Sequence, residues 1–336
     1  MSVNLRPGIY SSYEVNIERI NTEGKIVALC AEAGGDEIKR IASLADAIDV
    51  YGGECNMTNL IKLILNNGAS EVKAIPVAEG DYVSAFRTAV QDKDVKYLVC
   101  DSEDASVHIL LKTALDGADD DKKYKLGIVQ MQGNYDELIS AAGILNCERM
   151  VLCGNSETSG IPGSVAAAFA GMLASRNDPA MPLNGAVLGN ISDLARSFSD
   201  AQVEQLLRGG VTPVELDAGE AIVVRGVTTK TKTDGVYDDT LRDANTMLVI
   251  DDVIPAVYAS LKKYFTNSKN TVQTRGAIKT QVMLVLEEKV RQEIIADYDS
   301  VRAVADENDP SICRVSFSFS VMRGLNTIEL LACLNL

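Results

Sequence analysis

VKYLVC (95–100), YKLGIVQM (124–131) and RMVLC (149–153) are three nearly continuous apolar runs, and a helical pattern separates each from the next. Runs without polar alternation read as strands buried on both faces. The segments between them, Ala105–Leu115 and Tyr135–Ala142, supply the crossovers that parallel neighbours require. Val95–Gly154 therefore reads as a βαβαβ unit, and the fold class as α/β (α+β overall) with a parallel, doubly covered sheet.

Upstream the pattern continues. Lys25–Cys30 and Val72–Val77 read as strands. Leu44–Tyr51 reads as a helix capped by Ser43 and stopped at Gly52. Thr58 is expected to cap a second helix striped by Leu60, Ile61, Ile64 and Leu65, and Asp81 a third. Before these, residues 1–20 read as an arm. Pro7 and Gly8 make a turn that leads into Ile9 and Tyr10, and Tyr13, Val15 and Ile17 then alternate with polar residues as a strand does.

Downstream, Gly163–Ser175 is a helix of small residues. Ser199 and Gln202 form a capping-box signature. Glu220–Thr229 reads as a strand, Val253–Phe265 as an amphipathic helix, and Ile278–Ile294 as a longer one. Val315, Phe317, Phe319 and Val321 alternate with serines, a turn follows at Arg323–Asn326, and Ile328, Leu330 and Leu334 mark a second strand. A hairpin this apolar must join a further sheet, in its own chain or a neighbour's. Phe317 and Phe319 are expected in the core. The organisation read from this is an arm (1–20), a small α/β segment (21–90), an outer α/β domain (91–190) and an α+β core ending in the hairpin (191–336).

The chain has 336 residues, 46% of them hydrophobic, and a net charge of −15. No basic stripe appears, so nucleic acid and membrane anchoring are not expected. The first ten residues lack an apolar signal core, and no run approaches the about 18 apolar residues of a membrane span. A soluble protein made in a cytoplasm is the expectation. Seven scattered cysteines without CxxC spacing and a single histidine, His108, point to no metal site. Gly34-Gly35 follows a strand but carries neither GxGxxG nor a P-loop lysine. Cys153 ends a strand where α/β enzymes place nucleophiles, and His108 is the one imidazole that could serve it as base. Asp238/Asp239 and Asp251/Asp252 read as loop or helix-start carboxylates. The expectation is no catalytic residue, no cofactor and no metal. The alternative is an α/β ligand-binding protein or enzyme built on residues 95–154.

Several segments together resemble the sheath protein of contractile phage tails and related contractile particles. They are Arg6-Pro7-Gly8-Ile9-Tyr10, SLADAIDVYG (43–52), Leu60–Gly68, GSVAAAFAGMLASRNDPAMPLNGAVLGNI (163–191), SDAQVEQLLRGGV (199–211), VVRGVTT (223–229) and Asn270–Tyr298, closed by the end hairpin. Ser11-Ser12 stand where the family usually has an acidic pair, and the chain is short for the family. The resemblance implies a structural subunit rather than an enzyme. It would polymerise with itself as stacked rings around an inner tail tube protein, meet baseplate and tail-end proteins, and contract without ATP. It also implies assembly in the bacterial cytoplasm into a phage tail, an R-type bacteriocin or a related injection particle. Strand exchange between subunits would run through Pro7, Gly8, Ile9, Tyr10, Tyr13, Val15, Ile17, Val315, Phe317, Phe319, Val321, Ile328, Leu330 and Leu334.

Overall fold

The computed structural model describes residues 25–120, 124–158 and 160–325. Its main sheet has six strands: β1 (Ile26–Ala31), β2 (Lys39–Ile41), β3 (Val72–Pro76), β4 (Val95–Cys100), β5 (Leu126–Gln130) and β6 (Met150–Cys153). They lie in the order β2-β3-β1-β4-β5-β6, with β2 antiparallel to β3 and the other pairs parallel. The five parallel strands thus follow the order 2-1-3-4-5 of a doubly wound sheet. The α/β class read from the apolar runs is the class observed.

Alternation along each strand sends side chains to two cores. Val27, Leu29, Val99, Ile128 and Cys153 face α1 (Leu44–Tyr51), α2 (Asn56–Asn66) and α6 (Ser164–Ser175). Ala28, Cys30, Leu98, Cys100 and Leu152 face α3 (Tyr82–Gln91), α4 (Ala105–Asp120), α5 (Tyr135–Leu145) and α7 (Asp200–Arg208). Helix α6 is buried from Ser164 to Ala174, as an all-round apolar helix must be. Its small residues let it lie flat on the sheet and against α2. Ser43 and Asp81 cap α1 and α3 as expected, whereas α2 starts earlier than expected: Cys55 is its cap and accepts from the Thr58 amide.

A small antiparallel sheet of β7 (Ala186–Leu188), β8 (Val214–Asp217) and β9 (Glu220–Val223) closes the first core, in the order β7-β9-β8. The strand expected over 220–229 ends at Val223, because the backbone beyond it bonds irregularly: Val227 exchanges hydrogen bonds with Thr212 Oγ1, Gly226 and Thr228 bond to residues 244 and 242, and the Thr229 amide donates to Met150 of β6. A two-residue hairpin, β10 (Lys232–Thr233) and β11 (Val236–Tyr237), follows.

A third core belongs to α8 (Ala244–Phe265), α9 (Val272–Arg291), β12 (Ile295–Ala305) and β13 (Cys313–Val321). Strand β12 is a correction to the sequence reading, which carried the preceding helix to Ile294 and missed the strand. Helix α9 stops at Arg291, and Glu293 takes a left-handed turn (φ 58°) into β12. The boundary expected at 90 falls between hydrogen-bonded strands, since β1 pairs with both β3 and β4. The one expected at 190 also falls inside a packed body: Ile191, Val214 and Val223 share the first core, and Leu206 the second. The third core takes over along α8, whose first residue, Ala244, still belongs to the first.

Helix α8 is long and apolar enough to cross a membrane by length and composition. Here it packs on α9, and its mid-helix Asp251 and Asp252 pair with Arg149 and Lys289 at 2.6 and 2.5 Å.

Candidate functional site

Strands β12 and β13 form a two-stranded antiparallel ribbon. Val315, Phe317, Phe319 and Val321 point to one face, with Tyr298, and lie against Val282 and Leu286 of α9. The rings of Phe317 and Phe319 stack at 6.2 Å. All four are half-buried, which for Phe317 and Phe319, expected in the core, is a second correction. One helix covers one face of a ribbon, so each side chain keeps a wet flank. Ser316, Ser318 and Ser320 hold the other face in solvent.

The two edges differ. The β12 ladder breaks between Asp299 and Arg302, where Ser300 adopts φ 57°, whereas β13 runs nine residues without interruption on its own side. A bulge of this kind twists a strand and interrupts its outer row of hydrogen-bonding groups. Neither outer edge has a strand partner among the described residues. The arm residues Pro7, Gly8, Ile9, Tyr10, Tyr13, Val15 and Ile17 lie outside the described residues, as do Ile328, Leu330 and Leu334. The expected turn is described as far as Leu325, with no regular structure after Val321.

The places where enzymatic chemistry could reside are arranged otherwise. In doubly wound sheets ligands enter where the strand order reverses, here beyond the C-terminal ends of β1 and β4. That crevice is filled from within. Asp101 follows β4 and is buried; it accepts from the Glu32 amide at 2.8 Å and from the Tyr82 hydroxyl at 2.7 Å. Burial pushes its pKa up, against those two hydrogen bonds. Gly163, at φ 85°, brings the α6 N-terminus so close that a Cβ would stand 2.8 Å from the Cys100 carbonyl oxygen. The first free amides of α6, those of Val165 and Ala166, donate to Gln130 Oε1 at 2.8 and 3.3 Å. Gln130 Nε2 in turn donates to Glu103 at 2.6 Å. A helix N-terminus that could hold an anion is thus occupied by a strand-end side chain. Sequence reading missed Gln130; its one signal is a polar residue closing the apolar run LGIVQ.

Cys153 and His108 are not brought together. Cys153 faces the α6 side of the sheet, while His108 sits on α4, across it. Burial raises the Cys153 thiol to about 12, so it carries no thiolate at neutral pH. His108 is fully buried, its Nε2 bonded to the Ser102 carbonyl at 2.9 Å. Gly34 lies under the Tyr51 carbonyl as a structural turn. Asp238 accepts from Thr233 and Thr240 within the small hairpin, and Asp251 pairs with Arg149. Among the described residues no group of three or more His, Cys, Asp or Glu could hold a metal ion.

Residues 77–229 match the family model of the phage tail sheath protein central domain. Over those residues the chain is similar to the contractile tail sheath family. It is 28% identical over 326 residues to the tail sheath protein of Bacillus phage SP01, a match that takes in 92% of this chain and 53% of that protein. The chain therefore spans about half the length of that curated relative. Among solved structures it is similar to the helical sheath of the anti-feeding prophage in its contracted state, with a TM-score of 0.74, 16% identity and coverage of 99% and 100% of the two chains. It is also similar to a sheath tail protein from Desulfitobacterium hafniense, with a TM-score of 0.69, 12% identity and coverage of 94% and 100%. At these identities the structural matches speak for the fold.

Proposed function

We propose that this chain is the subunit of a contractile tail sheath. It would polymerise as stacked rings around an inner tube and shorten without ATP to drive that tube through a target envelope. It would meet the tube protein along the bore and baseplate and tail-end proteins at the ends of the stack. Assembly would occur in the bacterial cytoplasm, and the product would be a virion tail or a released phage-tail-like particle. The family-model match over residues 77–229 supports the class, and the observation that carries the reading is the β12–β13 ribbon, whose outer edges have no strand partner among the described residues.

An unpaired strand edge is a template for another chain. The partner strands in this reading are the arm at Pro7–Tyr10, Tyr13, Val15 and Ile17, and the terminal run with Ile328, Leu330 and Leu334, donated by neighbouring subunits. Each added strand contributes several main-chain hydrogen bonds of about 1 kcal/mol net, plus burial of its apolar side. Such joints hold while softer surfaces slide. Contraction then draws on the difference in contact energy between two lattices and needs no hydrolysis site.

The test is electron microscopy of the purified full chain beside two truncations, one lacking residues 1–20 and one ending at Leu325. The full chain forms long tubes. Both truncations keep the melting temperature of the body within a few degrees and form none. Ordered tubes from both truncated chains would refute strand exchange, and a full chain that stays a small oligomer in every condition would refute the sheath reading.

A further inference from the structure

The segment between Asp252 and Glu287 contains Lys262, Lys263, Lys269, Arg275 and Lys279 and not one acidic residue, in a chain of net charge −15. The structure gathers most of these at one place. Lys262 and Lys263 are in the last turn of α8, Lys269 lies in the connecting loop, and α9 opens two residues later with Thr271 as its cap. The four lysines are exposed, and none makes an ion pair within the described chain. Between them stand exposed Tyr258, Tyr264 and Val272, at 64, 57 and 78% of full exposure. Lys263 rests over the Tyr264 ring at 5.3 Å. The tip of the α8–α9 hairpin is thus a cationic rim around an uncovered aromatic and aliphatic centre, the composition of a contact surface rather than of a solvated face.

The complementary surface is on the same chain. From Asp36 to Glu54 run Asp36, Glu37, Asp46, Asp49 and Glu54, all exposed on the β1–β2 loop, α1 and the turn after it. Exposed Ile38 and Ile48 lie among them. Of the two basic residues in that stretch, Arg40 is committed to Asp92 and Asp94, at 3.1 and 2.7 Å, which leaves Lys39. Acid rim and apolar centre here meet base rim and apolar centre there.

We infer that the α8–α9 tip of one copy docks on the α1 surface of a second copy. The two patches are different, so the contact is heterologous and each copy keeps a free patch of each kind. Such contacts propagate into open helical assemblies instead of closing into dimers. The inference rests on the polymer reading above and adds to it a contact made by side chains, separate from strand exchange. Opposite rim charges govern encounter and register, and they are screened within about 8 Å at physiological salt.

The experiment uses four full-length proteins: wild type, K262E/K263E/K269E, D46K/D49K/E54K and the six-fold combination. Each is first shown by circular dichroism to melt as wild type does; the sites are exposed, so folding should survive. Self-association is read by sedimentation velocity at low and high salt, and tubes by microscopy. The expected result is that each charge reversal weakens self-association by about tenfold or more at low salt, and that the combination recovers it to within about threefold. Self-association unchanged in both reversals overturns the inference, as does a natively folded combination that fails to recover, or a wild type that never self-associates. Charge-dependent association without tubes leaves this contact standing and removes the sheath reading, whereas tubes from all four variants do the reverse.

Discussion

Two glycines on helices allow the packing account to be tested with one substitution read at two places. Gly171 lies where α6 crosses α2, and a Cβ there would stand 2.4 Å from the Ile64 carbonyl oxygen, 3.0 Å from its carbon and 2.9 Å from Asn67 Cβ. The obstacle is helical backbone, which cannot rotate aside as a side-chain tip would. Gly276 lies in the second turn of α9, with nothing within 4 Å of an added Cβ. In both cases alanine gains about 1 kcal/mol of helix propensity and loses the same unfolded-state freedom. The two sites therefore differ only in packing. Overpacking a close crossing costs about 1–3 kcal/mol, and a backbone obstacle puts Gly171→Ala at the upper end. The expected net is a loss of about 2 kcal/mol for Gly171→Ala and a gain of about 0.5–1 kcal/mol for Gly276→Ala. Urea melts followed by circular dichroism measure both, with hydrogen exchange in α6 and α9 assigning each effect to its helix. A Gly171→Ala protein as stable as wild type would show that α6 and α2 can separate without cost, and the argument from the small-residue helix would fail.

Arg149→Met leaves Asp251 without the guanidinium it meets at 2.6 Å, with both side chains largely buried, so urea melts should report a loss of about 3–5 kcal/mol, most of it regained in Arg149→Met/Asp251→Leu. Burial depresses the pKa of His108 below 6.5, against the Ser102 carbonyl and Asp104, so the native state holds it neutral; its contribution is complete above pH 6.5 and is lost as pH falls. A pH series of melts should show that loss begin below 6.5 in wild type and vanish in His108→Gln, which can keep a donor for the Ser102 carbonyl. For Asp92, burial raises the pKa, but hydrogen bonds from Lys73, the Asp94 amide and Arg40 outweigh it and hold the group near 2. Its stabilisation is therefore present above pH 3.8 and lost toward pH 2, and Asp92→Asn should abolish that part of the acid transition.

The five parallel strands were legible because they are apolar on both faces, a pattern only a doubly covered strand needs, whereas the edge strand β2, KRI with two exposed residues, was not. Caps at Ser43, Asp81 and Ser199 were legible because one residue decides each. Strand β12 was not. IADYDSVRAVA (295–305) alternates imperfectly, and its bulge at Ser300 shifts the phase midway, so no single period runs through it. Phe317 and Phe319 had the right face and the wrong depth, since alternation tells which side is covered but not how many layers cover it. The filled crevice was invisible for another reason. Asp101, Tyr82, Gln130 and Gly163 come from four separate segments, and nothing local marks them as neighbours.

That filled crevice and the open ribbon belong to one argument. A buried carboxylate costs stability where, as for Asp101, no ion pair forms among the described residues, and burial pushes its pKa up. The same carboxylate ties the end of β1, α3 and the end of β4 together at the one point where a doubly wound sheet would otherwise gape. With that crevice filled, the uncovered features of the ribbon are its edges and its serine face. An uncovered strand edge is a hazard for a protein meant to stay alone, and such proteins blunt it. Here the β12 side is blunted by its bulge, while β13 keeps a regular row and a serine face that discourages face-to-face stacking. A surface that suppresses stacking but leaves in-plane pairing open selects for one strand added at one register. Under the proposed sheath reading, a lattice of identical joints requires just that selectivity.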